Sequence, residues 1–172
     1  MAKLAVWVEG DRDRRLFETV ILPRLLPTYE QALVREYRQR KRPDFNRLLR
    51  VLSHQDFDRL LVADRNASPC VMKRKEKLRE SYPDLANHEI LVVSKEIESW
   101  YLAGLTAEGA AALKVTCPAS TDHLTKEDLN RLRPSRFDSE LDFLVELLKH
   151  FDVATACGRN QSFAYFCRKY LR

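Results

Sequence analysis

Leu4-Ala5-Val6-Trp7-Val8-Glu9-Gly10-Asp11-Arg12-Asp13-Arg14-Arg15 is the stretch that sets the fold. Leu4 to Val8 reads as a buried strand without a breaker. The run stops on a carboxylate and a glycine turn, and a helix follows at once. Leu60-Leu61-Val62-Ala63-Asp64 repeats the pattern, and Ile90-Leu91-Val92-Val93 runs into Ser94-Lys95-Glu96. In open α/β sheets the ligand site lies beyond the carboxyl ends of the strands. Acids delivered to that edge by separate strands point to a metal site that handles phosphate.

Helical spacing fills the segments between these strands. Leu16, Phe17, Val20, Ile21 and Leu25 form one apolar stripe over residues 11–26. Pro23 is expected to bend or end that helix. Residues 31–38 alternate in part and read as a half-exposed strand. Pro43-Asp44 opens a helix carrying Phe45, Leu48, Leu49 and Leu52, and a basic helix is expected over about 70–80. Residues 96–103 read as helical, with Trp100 and Tyr101 as packing aromatics. Strand and helix thus alternate four times over residues 3–103. That order predicts an α/β, Rossmann-like fold with a mostly parallel four-stranded sheet and helices on both faces. Residues 1–104 would form this core, and residues 105–172 a helical extension packed on it within one compact domain. Helices are expected at 125–133, 137–151 and 160–171, with no strand after residue 118.

Composition narrows the function. Of 172 residues, 45% are hydrophobic and 32% charged, as in a globular protein. No apolar run is long enough to span a bilayer, so no membrane segment is expected. The first apolar stretch is short and meets Glu9, unlike a signal peptide. The 4 cysteines are irregularly spaced and near no histidine cluster, as expected of reduced thiols in a cytoplasmic protein. The net charge of +5 is compatible with a polyanionic partner. Arg35, Arg38, Arg40, Lys41 and Arg42 cluster, as do Lys73, Arg74, Lys75, Lys77 and Arg79, and a third group is Arg131, Arg133 and Arg136. Each cluster also reads as an ordinary solvated face. No glycine-rich nucleotide loop is present, and no histidine has ligand spacing.

The acids at the strand ends are Glu9, Asp64, Glu96 and Glu98, with Asp13 a turn beyond Glu9. Two carboxylates about 4 Å apart repel by roughly 4 kcal/mol at an effective dielectric near 20. Such a cluster shares protons, pairs with Arg or Lys, or binds a cation. Mg²⁺ and Mn²⁺ favour these oxygen ligands. Arg12, Arg14, Arg15, Arg65 and Lys95 lie close in sequence and offer the ion-pair alternative.

The Val6-Trp7-Val8-Glu9-Gly10 turn followed by Asp64 resembles the topoisomerase–primase (Toprim) fold. The likeness is closer to small stand-alone Toprim-like proteins related to the overcoming-lysogenization-defect nucleases. It is carried by Glu9 with Asp13, by Glu96-Ile97-Glu98-Ser99-Trp100, and by Ser162-Phe163-Ala164-Tyr165-Phe166. The resemblance implies Glu9 as general acid or base and Asp64 as a ligand of Mg²⁺ or Mn²⁺. Asn66 stands where the family has a second metal-binding aspartate.

Two functions are therefore expected to compete. One is a metal-dependent nuclease-like or phosphotransfer domain on nucleic acid. In it Glu9 is catalytic, Asp64, Glu96, Asn66, Asp13 and Glu98 form the metal shell, and Arg12, Arg65 and Lys95 hold phosphate. The other is a catalytically inactive module that binds nucleic acid or a protein partner, which Asn66 favours. Self-association is compatible with either. A third reading, a receiver-like phosphoacceptor at Asp64, lacks a convincing fifth strand ending in lysine.

Overall fold

The computed structural model describes residues 2–171. Its contacts divide the chain into two compact units, one running through Val93 and the other from Ser94 to Tyr170.

The first unit is a four-stranded, all-parallel sheet flanked by helices, a Rossmann-like α/β arrangement. The strands are β1 (Lys3–Val8), β2 (Gln31–Glu36), β3 (Phe57–Asp64) and β4 (Ile90–Val93), in the order β2-β1-β3-β4. Val6 lies opposite Val34 on one side and Leu60 on the other, and Asp64 lies opposite Val93. The interior strands read as continuous apolar runs because both faces are buried, as in other parallel sheets.

Between β1 and β2 lie α1 (Asp11–Leu16), a π-helical turn (Phe17–Ile21) and α2 (Leu22–Leu25). Pro23 neither ends nor breaks this segment. The Leu22 N–H reaches back five residues to the Phe17 carbonyl, so the wider turn carries the helix into the proline. Helices α3 (Arg42–His54) and α4 (Val71–Ser81) follow β2 and β3. The chain leaves β1 toward β2 on one side and afterwards moves only the other way. Right-handed crossovers then place α3 and α4 together on the face opposite the first connection. Phe45, Leu49 and Leu52 of α3 and Leu78 of α4 indeed share one cluster with Ala5, Trp7, Leu61, Ala63, Ile90 and Val92.

Strand β3 begins three residues before the apolar run, at Phe57, and takes in Asp58 and Arg59. Arg59 is tolerated there because its guanidinium is clamped. Nε and Nη2 bind Glu89 at 2.9 and 3.0 Å, and the Leu49 and Asp84 carbonyls accept the rest at 2.9 and 3.2 Å.

The second unit is helical: α5 (Glu98–Ala103), α6 (Ala107–Leu113), α7 (Lys126–Leu132), α8 (Glu140–Lys149), α9 (Val153–Arg159) and α10 (Gln161–Tyr170). By its contacts α5 belongs here rather than with the sheet. The short helices α6 and α9 lie outside the sequence expectation. Each has a side-chain cap, Thr106 accepting from the Gly109 N–H and Asp152 from the Thr155 N–H. The core is aromatic, with Trp100 edge-on to Phe163 at 4.9 Å and both rings fully buried. No described helix is long and apolar enough to cross a membrane.

Candidate functional site

A sheet ordered β2-β1-β3-β4 reverses its winding between β1 and β3, and the crevice beyond their carboxyl ends is the favoured ligand position. Glu9 follows β1 and Asp64 ends β3, so both expected acids arrive at this point. They meet directly: the Asp64 N–H donates to Glu9 Oε1 at 3.2 Å.

Glu9 is only 8% exposed, and donors surround it. Its Oε1 also accepts from Arg74 Nη2 at 3.0 Å and from the Tyr37 hydroxyl at 3.4 Å. Its Oε2 receives Arg38 Nη1 at 3.5 Å. Arg74 reaches past Glu9 as well, its Nε donating to the Asp64 carbonyl at 2.7 Å. One guanidinium thus ties the end of β1 to the end of β3. Burial pushes the Tyr37 phenol far above its usual range, and the neighbouring Glu9 charge pushes it further. Tyr37 therefore stays a neutral donor to the carboxylate.

The other expected residues of the first unit have local work. Asp13 is buried in α1, and its Oδ2 accepts the Gly10 N–H at 3.3 Å, closing the glycine turn. Arg12 is half-buried in the same helix. The Arg65 N–H donates to the Val93 carbonyl at 3.0 Å, which continues the β3–β4 ladder by one bond. Asn66 has φ of 51°, a left-handed conformation that asparagine tolerates better than most side chains. Its Nδ2 turns back to the Asp64 carbonyl at 3.5 Å.

Lys95, Glu96 and Glu98 belong to the second unit. Lys95 is left-handed at φ 61°. Glu96 Oε2 accepts the Lys126 N–H at the start of α7 at 2.6 Å. Glu98 is 3% exposed in the first turn of α5. The turn before them is fixed by Ser162, whose hydroxyl accepts from the Ser94 N–H at 3.1 Å and Trp100 Nε1 at 2.8 Å. That hydroxyl donates to Asn160 Oδ1 at 2.7 Å, which also accepts the Phe163 N–H. Asn160 Nδ2 donates to Ser99 and Thr121. Every hydrogen-bonding position of the Asn160 amide is thereby used. The serine of the Ser-Phe-x-x-Phe stretch is a hub of buried hydrogen bonds, and its two phenylalanines are core.

Among the described residues, no three His, Cys, Asp or Glu side chains form a group that could hold a metal ion. In the first unit, Glu9 Oε1 is filled by three donors and the Asn66 amide is engaged through its nitrogen. As arranged, Glu9 is not open to a Mg²⁺ ion through Oε1; Arg74 supplies the compensating charge.

Charge of the opposite sign lines the rim. Arg38, Arg40 and Lys41, between β2 and α3, and Arg42, which opens α3, are all exposed. The Arg40 guanidinium lies over the Trp7 ring at 5.3 Å, which holds that charge at the sheet end. Sequence reasoning found the basic clusters at 35–42 and 73–79 but not their division of labour. Arg74 turns inward to Glu9, whereas Arg40, Lys41 and Arg42 face solvent. Nothing local marks Arg74 among its basic neighbours, because its partner lies 65 residues away.

No family model, curated protein or solved structure matches this chain.

Proposed function

We propose that this chain is a nucleic-acid-binding module of Toprim-like architecture, with the phosphodiester backbone held along the rim of the β1–β3 switch point. The observation that carries the reading is the pairing of Glu9 with Arg74 in a unit that exposes four cations over residues 38–42, one of them, Arg38, reaching Glu9 itself. An acid neutralised inside the fold does not repel a phosphate, and Arg40, Lys41 and Arg42 remain to attract one, with the exposed Arg38 beside Glu9. The Toprim resemblance supports the same class of ligand, and Asn66 in place of an aspartate fits binding without cleavage.

A second reading, metal-dependent nuclease or phosphotransfer activity, is favoured by the contact between Glu9 and the Asp64 backbone at the switch point. It requires Arg74 to release Glu9.

One set of assays separates them. The protein and its Glu9→Gln and Asp64→Asn variants are incubated with plasmid and with labelled single strands, in Mg²⁺ or Mn²⁺ and in EDTA. The binding reading expects retained complexes, intact strands and no metal requirement. Metal-dependent cleavage abolished by both substitutions would replace it with the nuclease reading. Absence of both complex and cleavage would refute both.

A further inference from the structure

Tyr82 combines three properties that the binding role leaves unused. It is half-exposed, whereas the aromatics beside it, Tyr37 and Phe45, are buried. Its ring meets Tyr37 at 5.8 Å and Phe45 at 5.2 Å, both at 85°. Those two rings lie nearly parallel to each other, at 16°, so neither lies flat on Tyr82. The residue is also held firmly. Its N–H bonds the Leu78 carbonyl, its own carbonyl accepts from the Leu85 N–H, and Pro83 restricts its backbone. Asn46 Nδ2 ties the adjacent Ser81 carbonyl to α3 at 3.2 Å. A rigid aromatic ring loses little freedom when a ligand covers it.

Its surroundings identify the ligand. The Tyr37 ring that supports Tyr82 carries the hydroxyl that bonds Glu9. Phe45, which Tyr82 meets edge-on, lies three residues after the exposed Arg42 on α3, so the two share a helix face. Arg38 donates to the same Glu9 carboxylate, and Arg40 lies over Trp7, whose ring meets Phe45 at 5.0 Å. An aromatic ring beside exposed arginines is the pairing used to bind single strands, with cations tracking the backbone and a base stacked on the ring. A base inside a duplex has both faces covered by its neighbours and is not free to stack.

We infer that the ligand of this site is an unpaired nucleic-acid strand, with one base stacked on Tyr82 and the adjoining phosphates held by Arg42 and its neighbours Arg40 and Arg38. The inference rests on the nucleic-acid-binding reading and adds the strandedness of the ligand and the residue that selects it.

The test measures fluorescence anisotropy of labelled single-stranded DNA, single-stranded RNA and duplex DNA of one sequence with the intact chain. The variants are Tyr82→Ala and Tyr82→Phe, with thermal unfolding as a control for folding. Loss of one stacked base weakens binding roughly five- to a hundredfold. Tyr82→Ala is expected to show that loss on single strands and little change on duplex, while Tyr82→Phe behaves as wild type. Comparison of the DNA and RNA arms identifies which single strand is preferred. A second measurement compares ligands on one protein, and its wild-type arm does not depend on how Tyr82→Ala packs. A single strand carrying abasic positions should bind wild type more weakly than the intact strand, yet bind Tyr82→Ala equally well. Tight single-strand binding that is indifferent to both Tyr82→Ala and the abasic positions would overturn the stacking role and leave the binding function standing. Preference for duplex would overturn the strandedness. Binding to none of the three would overturn this inference and the function beneath it.

Discussion

Replacing Arg74 with methionine keeps the length and apolar stem of the side chain but removes the cation that Glu9 faces. The Arg74 and Glu9 side chains are 19% and 9% exposed. Removing one partner of a fully buried pair costs about 3–5 kcal/mol. Here Glu9 keeps the Asp64 N–H, the Tyr37 hydroxyl and the distant Arg38, so the expected loss is smaller, about 2–3 kcal/mol. Glu9→Gln leaves Arg74 partly hydrated and still bonded to the Asp64 carbonyl, for a loss of about 1–2 kcal/mol. If the two residues acted independently, the double variant would lose the sum, about 3–5 kcal/mol. The ion pair instead predicts a loss of about 2–3 kcal/mol in the double variant, a coupling of about 1–2 kcal/mol. Urea unfolding followed by tryptophan fluorescence and by far-UV circular dichroism measures all four proteins. Coincident transitions and an unchanged m-value license the comparison. Losses additive to within about 0.3 kcal/mol would refute the claim that Arg74 neutralises Glu9.

Two further outcomes follow from other buried hydrogen bonds. Asn160→Ala removes one hydrogen-bond partner from each of the Ser99, Thr121 and Ser162 hydroxyls and the partner of the Phe163 N–H in the second unit, and should cost about 2–4 kcal/mol by denaturant unfolding; a loss under about 0.5 kcal/mol, typical of surface sites, would contradict the network. Tyr37→Phe should change the alkaline response. The folded phenol is held above its ordinary value of 10.0, so its contribution is complete below pH 10 and is lost as the pH rises beyond it. That loss amounts to at most about 1.4 kcal/mol per pH unit. Stability measured from pH 9 to 11 should therefore fall less steeply in Tyr37→Phe than in wild type, and parallel curves would contradict the assignment.

The sheet was legible because its strands announce themselves. Leu4–Val8, Leu60–Ala63 and Ile90–Val93 are short apolar runs that stop on polar residues, and burial on both faces makes them continuous. The meeting of Glu9 with Asp64 followed from that reading, since adjacent parallel strands deliver their ends to one edge. What stayed hidden depends on partners distant in sequence. Arg59 looks like a reason to end a strand until Glu89 and two carbonyls are seen around it. Pro23 looks like a helix stop until the π turn removes the need for its N–H. Asn66 reads as a candidate ligand by its place after Asp64, but its positive φ gives it a turn-forming task that no pattern of residue types displays. The short helices α6 and α9 carry too little periodicity to stand out over seven residues each.

The central claim is that the exposed arginines beyond β2 hold phosphates. Its most direct measurement is the salt dependence of single-strand affinity, in wild type and in a variant with Arg38, Arg40 and Arg42 all replaced by alanine. Each phosphate contact contributes about −0.7 to the slope of log K against log salt for a single strand. The account predicts that the triple variant loses about 2 from the magnitude of that slope, with affinity reduced at every salt concentration. An affinity and slope unchanged by removing all three arginines would contradict it.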